Sequence, residues 1–398
     1  MSGRFLFAAM VSIVLTVNTV SPCTIFNASS GNWVLAGNTE DLGSTKSMVW
    51  FLPGTEDTYG TVFLGFEDYG KQGGMNDQGL FLDFNALRYA KMNPRADLLT
   101  LEGETDFFEW IMGRCATVED VIQLLSQYNL DGWNNSQAMF ADKTGASAVL
   151  GPDKNGKLFI ARKEGDFQVS TNFSLANPKF GASRYPCPRY EIANAMLENM
   201  KELDIAYFRA ILSAVHSEGG NPTSYANICD LTNGDLYIYN FHNFEEVAKF
   251  NLETELKKGE HSYKIPALFP RKTNAQLAFE QSQKRSLSAI LNRTIEEEGV
   301  ESAIRKFVEL KNKYAGVSGQ MDHLVFMLGL KGKVKEAIEI YRVFAKDHPE
   351  KAAVHKTLGG LYAKAGMTQE AIECYRNVLE LNPNEAETRV ILKQLESG

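Results

Sequence analysis

Apolar and polar positions alternate with a period near two through the first part of this chain and with a helical period in its last third. From residue 23 to about 90 the runs are short and strand-like. Cys23 to Asn27 and Trp33 to Asn38 flank Ala28-Ser29-Ser30-Gly31-Asn32, a hairpin signature that returns Asn38 to Asp41 to the neighbourhood of Cys23. Met48 to Leu52 and Thr61 to Phe66 are bounded by Pro53-Gly54 and Gly60, and the turn-rich Gly73-Gly74-Met75-Asn76-Asp77-Gln78-Gly79-Leu80 leads into the alternating strand Phe81 to Asn85.

Helical periodicity enters at Thr105 to Gly113 and at Thr117 to Tyr128, where Val118, Val121, Ile122, Leu124 and Leu125 form an apolar stripe behind Thr117 as N-cap. Strands return at Ala138 to Phe140, Ala146 to Leu150, Leu158 to Ala161 and Phe167 to Thr171. Helices follow at Tyr190 to Met200 and Ile205 to His216, then a hairpin of Tyr225 to Asp230 and Asp235 to Asn240 around Thr232-Asn233-Gly234. Strands and helices in such blocks predict a layered α+β domain with both sheet faces covered.

Around 257–284 the chain turns polar, with Lys257-Lys258-Gly259-Glu260, Pro266 and Pro270, which reads as a linker between a domain over 23–256 and a helical one over 285–398. In the latter a 34-residue repeat emerges: Leu324, Gly332, Ala337, Tyr341 and Pro349 recur as Leu358, Gly366, Ala371, Tyr375 and Pro383, and Ala303, Ile304 and Phe307 mark a weaker copy one period earlier. Period and residue choice resemble tetratricopeptide repeats, stacked helix pairs with small residues at the crossings.

Residues 1–22 read as an export signal: Arg4, an apolar run from Phe5 to Val17 too short to span a bilayer, then Asn18 and Thr19. The expected location is secreted or periplasmic. A small-x-small cleavage site at Thr19-Val20-Ser21 leaves Pro22 ahead of Cys23, so a second trimming step is needed to free it, and Pro22 argues against lipidation of that cysteine. A mature chain beginning at Cys23 carries a thiol and an α-amine on one residue, a nucleophile with its own base. Cys115, Cys187, Cys229 and Cys374 show no CxxC or zinc spacing, leaving both disulfides and buried thiols open.

A net charge of −8, with 41 basic and 49 acidic residues, and the lack of a basic cluster exclude nucleic acid as a partner. No membrane span is expected after the signal. Six histidines, His216, His242, His261, His323, His348 and His355, lack metal-ligand spacing, and phosphate-binding and G-x-S-x-G signatures are missing, so neither cofactor nor metal is expected.

Cys23-Thr24, Gly37 to Asp41, Gly74 to Leu80, Ser170-Thr171-Asn172 and Pro188-Arg189-Tyr190, in that order, resemble the choloylglycine hydrolase family, which includes penicillin V acylases and belongs to the N-terminal nucleophile hydrolases. The resemblance covers roughly Cys23 to Asn240. It implies an αββα sandwich and hydrolysis of a linear, non-peptide amide through an acyl-thioester on Cys23. It further implies Asp41 holding the α-amine, Asn172 as side-chain oxyanion donor, Asn85 giving a backbone N–H to the same hole, and Arg189 beside the nucleophile. Many members carry arginine where this chain has Asn38, which removes one cation from beside the thiolate. Phe63, Phe66, Phe81 and Phe84 lie near the expected site, as acyl-pocket lining or as core. Beside the small-molecule amide, the repeats suggest a protein or peptide partner or self-association. The alternatives are an acyltransferase using the same thioester and a scaffold acting through the repeats.

Overall fold

The computed structural model describes residues 23–100, 107–130, 133–178, 185–218 and 221–397; the expected signal, residues 1–22, lies outside them. The chain divides into two compact units, the first ending at Leu277 and the second running from Ala278. No helix among the described residues is long and apolar enough to cross a membrane.

The first unit holds strands β1 (Thr24–Ser30), β2 (Trp33–Glu40), β3 (Ser47–Leu52), β4 (Thr61–Phe66), β5 (Gly70–Asn76), β6 (Leu80–Lys91), β7 (Asn134–Asp142), β8 (Ser147–Pro152), β9 (Leu158–Arg162), β10 (Phe167–Ser170), β11 (Tyr225–Asp230), β12 (Asp235–Asn240), β13 (Asn243–Asn251) and β14 (His261–Lys264). They form two antiparallel sheets, one ordered β10-β1-β2-β11-β12-β13 and the other β14-β3-β4-β5-β6-β7-β8-β9. Helices α1 (Phe107–Met112) and α2 (Val118–Leu125) cover the larger sheet, and α3 (Pro188–Glu198) and α4 (Ile205–Val215) cover the smaller one.

The layering follows from strand alternation, because successive side chains point to opposite faces of a sheet. Ile25 and Ala36 enter the core between the sheets, whereas Phe26 and Leu35 pack under α3 and α4 beside Leu197, Phe208 and Leu212. On β6, Phe81 faces the inter-sheet core while Leu80 and Leu82 face Ile111, Val118 and Val121 of the helices behind. Three stacked cores result, and with them the αββα sandwich. The N-cap of α2 is Thr117, whose hydroxyl accepts from Asp120 N at 3.1 Å while the Asp120 carboxylate accepts from Thr117 N at 2.9 Å.

Two expectations are corrected. The first hairpin is longer than expected, its strands running to Ser30 and from Trp33, so that the turn is only Gly31-Asn32. The expected linker over 257–284 is partly structural: β14 pairs with β3, Tyr263 opposite Val49, and Ile265 and Phe269 are buried in the inter-sheet core. As an edge strand only its His261 and Tyr263 side is half-buried, so Ser262 and Lys264 on the other side, and Pro266 just beyond, hid it. Before it lies α5 (Leu252–Leu256), and after it α6 (Asn274–Lys284).

The second unit is all helix: α7 (Leu287–Glu298), α8 (Val300–Leu310), α9 (Val317–Leu330), α10 (Val334–Lys346), α11 (Ala352–Lys364), α12 (Thr368–Leu381) and α13 (Ala386–Ser397). The repeat positions behave as their residue types require. Ala337 and Ala371 are fully buried, Tyr341 and Tyr375 fill the spaces between helices, and Gly332 and Gly366 take φ of +72° and +74° in the turn between the helices of a pair.

The turn-rich segment before β6 is architectural. Asn76 is buried, its amide donates to the Met112 and Cys115 carbonyls at 2.8 Å each, and its oxygen accepts from Gln78 N at 3.1 Å and Leu80 N at 2.9 Å. It thereby fastens the β5–β6 turn to the end of α1. Replacing it with alanine leaves four backbone groups unpaired, so Asn76→Ala should lower unfolding free energy by at least about 3 kcal/mol in a urea titration.

Candidate active site

The same alternation that builds the cores aims a polar cluster at one end of the space between the sheets. Cys23 lies two residues before Ile25 and therefore shares its inward face. Thr24 pairs with Thr39, which sets Cys23 across from Glu40, and the Cys23 Sγ donates to Glu40 Oε1 at 3.2 Å. Asn38 Nδ2 reaches the other Glu40 oxygen at 3.4 Å, and Tyr225 of β11 sits opposite Glu40 on the far side of β2. From the facing sheet, Asp83 and Asn85 follow Phe81 on the inward face of β6. Asn85 Nδ2 donates to the Cys23 carbonyl at 3.2 Å, and its Oδ1 accepts from Ser170 Oγ at 2.6 Å. Gln137 of β7, opposite Asn85 in the ladder, donates to that hydroxyl at 3.1 Å and to the Thr171 and Phe173 carbonyls at 3.0 and 2.7 Å.

Thr24 has the opposite parity and meets a second group. Arg189, one residue into α3 behind Pro188, donates to Thr24 Oγ1 at 2.8 Å and to Asn172 Oδ1 at 3.1 Å, and its Nη1 lies 3.7 Å from Asp41 Oδ2. A cation at a helix N-terminus opposes the helix dipole, and the buried Asp41 carboxylate offsets that cost. The Thr223 hydroxyl donates to the other oxygen of Asp41, and the Asn172 amide donates to the Ala86 carbonyl at 3.0 Å.

Three carboxylates, Glu40, Asp41 and Asp83, are thus buried around one thiol. Burial raises the Cys23 pKa well above that of an ordinary thiol, and the charges of Glu40 and Asp41 push it further, with the Asp41 backbone N–H pulling the other way. Burial drives Glu40 up to about 7 against the hydrogen bond from Cys23. Asp41 is raised by burial, with Arg189 and Thr223 opposing, and Asp83 is raised by burial and by Glu40. In the full-length chain the thiol is therefore held neutral, and a positive charge placed beside it would lower its pKa.

All five residues expected from sequence come together here. The Asn85 side chain meets the Cys23 carbonyl, because its parity turns the amide inward. Asn172 spends an amide hydrogen on the Ala86 carbonyl and its oxygen on Arg189. Sequence reasoning missed Glu40 and Asp83; the signal was an acid in step with the inward-facing positions of a strand buried on both sides. Phe63, Phe66 and Phe81 are core, fully buried, whereas the half-buried Phe84 stacks on Phe108 at 5.1 Å. All five cysteines are buried free thiols.

By sequence, no curated protein matches this chain. Residues 352–385 match the tetratricopeptide repeat family model. Among solved structures, the chain is similar to a variant of the conjugated bile acid hydrolase of Clostridium perfringens, with 19% identity over 61% of this chain and 97% of that one and a TM-score of 0.48. It is likewise similar to the penicillin V acylase of Agrobacterium tumefaciens, with 16% identity over 55% and 82% and a TM-score of 0.44.

Because Glu40 holds its proton more tightly when folded than when unfolded, the stability it contributes is complete below about pH 4.5 and is lost as pH rises through about 7. Melting temperatures of the full chain should fall across that window. Glu40→Gln should flatten the profile, removing a swing on the order of 3 kcal/mol.

Proposed function

We propose that this chain is an exported cysteine amidase that cleaves a linear, non-peptide amide through an acyl-thioester on Cys23 once the preceding residues are removed. The observation that carries the reading is the convergence of Cys23, Asn85, Asn172, Arg189 and Asp41 at one end of the sandwich, each buried or half-buried and each tied to a named partner. Cleavage before Cys23 creates an α-amine on the residue whose thiol the carboxylates surround. As an ammonium it is attracted to Glu40, Asp41 and Asp83, and its charge favours the thiolate.

The chemistry balances with water as the only co-reactant. The amine takes the thiol proton, sulfur bonds to the amide carbon, the tetrahedral oxyanion collapses, and the leaving amine departs with the proton. Water then attacks the thioester, releasing the carboxylic acid and restoring the thiol. Asn172, whose amide has a second hydrogen besides the one given to the Ala86 carbonyl, and Asn85, whose amide lies against the Cys23 carbonyl, serve the oxyanion. Arg189 fixes Asn172 and Asp41 relative to Thr24.

Intact mass and iodoacetamide labelling of the mature protein test the first requirement. A chain starting at Cys23 with one fast-reacting thiol supports the reading, and a chain retaining Pro22 with an inert Cys23 sinks it. On a panel of acyl amides, Cys23→Ala should abolish turnover, and Arg189→Gln should cut kcat/KM by roughly 10²-fold and lower the melting temperature, because the buried Asp41 loses the cation beside it. Turnover that rises on adding free amines, with an exchanged amide as product, would make the enzyme an acyltransferase instead.

A further inference from the structure

We propose that His216, Glu218 and His242 form a binding site for a zinc-class divalent metal ion. The two histidines lie far apart in sequence, one at the C-terminal cap of α4 and the other in the turn between β12 and β13, yet their rings stand 5.0 Å apart. One donor atom from each of the three residues falls within 4.8 Å of the other two.

The hydrogen bonds fix which atoms those are. His216 Nδ1 lies 2.5 Å from the Ser213 carbonyl, which can only accept, so Nδ1 carries the hydrogen and Nε2 of the neutral ring presents a lone pair. In that tautomer Nε2 faces Glu218 Oε1 at 3.2 Å, a contact that either a ring proton or a bound metal ion can bridge. His242 bonds the Ser217 backbone, while its buried Nε2 has no partner among the described residues, so its hydrogen too is committed through Nδ1. Three candidate ligand atoms thus lie within 4.8 Å of one another, with both imidazoles held by backbone groups as metal-bound histidines are. A proton between His216 and Glu218 satisfies two of the three; a metal ion satisfies all. Two imidazole nitrogens and a carboxylate oxygen suit zinc, whose ligand bonds of about 2.0–2.2 Å imply ligand spacings of roughly 3.3 Å. The His216–Glu218 pair has that spacing already, and rotation of an imidazole together with the exposed Glu218 arm would bring the third ligand to it.

A second observation points the same way. Asn240 pairs with Asn243, leaving Phe241-His242 as a two-residue hairpin turn with φ of +43° and +62°. Such a turn favours Asn-Gly, and two bulky residues there are strained. The strained turn turns the His242 ring toward His216.

Zinc itself is the probe. The full-length protein, stripped with a chelator and dialysed, should bind one zinc per chain in a calorimetric titration, and cobalt in its place should show visible d–d bands. Glu218→Gln, a change on an exposed side chain that leaves folding intact, and His242→Gln should each weaken zinc binding by about 100-fold or more, at least the effect of losing an outer-shell partner. Absence of saturable binding, or wild-type affinity in Glu218→Gln, overturns the proposal. Neither readout depends on amidase activity.

Discussion

Strand parity is the constraint on which the site depends. Cys23, Glu40, Asp83 and Asn85 come from three strands in two sheets, and each reaches the same space because it is in step with Ile25, Ala36 or Phe81 on an inward face. A one-residue slip of β1 would bury Thr24 in their place and aim the thiol at the helices. Seven paired positions with β2 and four with β10 hold that register, and large apolar side chains on both faces make any slip costly. The chemistry is therefore secured by packing several residues away from it.

Electrostatics then explains why such a cluster can exist in a folded chain. Burial is what raises the proton affinities of the three carboxylates, Glu40 to about 7 and Asp41 and Asp83 well above their ordinary range, and the charge of Glu40 adds to the rise at Asp41 and Asp83. Arg189 stabilises the Asp41 side only, through a 3.7 Å approach reinforced by bonds to Thr24 and Asn172. Burial raises the proton affinity of the inner pair, Glu40 and Asp83, and a cation placed beside them would lower it again. On the proposed reading that cation is the ammonium released at Cys23, so one cleavage supplies the base and lowers the thiol pKa together.

Much of this was legible in the chain. Alternation marked most strands, and 34-residue spacing marked the helix pairs, because both signals are local and repeat. The first hairpin placed Asp41 near Cys23 by reach alone. Glu40 and Asp83 were less legible, since an acid on a strand normally marks the solvent face and only the two-sided burial of β2 and β6 reverses that inference. The β14 edge escaped because only one of its faces is half-buried. The His216–His242 pairing escaped for a different reason: it depends on the path from α4 through β11 and β12, which no local spacing encodes.

That pairing is not isolated from the site. Ser217, whose backbone receives the His242 bond, donates its N–H to Thr223 Oγ1 at 2.8 Å and accepts from Thr223 N at 2.9 Å, and the Thr223 hydroxyl in turn donates to Asp41. Thr223 must hold its rotor in one direction to serve both neighbours, so whatever fixes Ser217 fixes the donor on Asp41. A hairpin turn carrying Phe241 and His242 at positive φ is costly by itself, and it persists because β11 and β13 pair with β12 on both sides. Strain is thus held by the sheet beside Ser217, which Thr223 links to Asp41. The geometry of a buried carboxylate is set from outside the site as well as from within it.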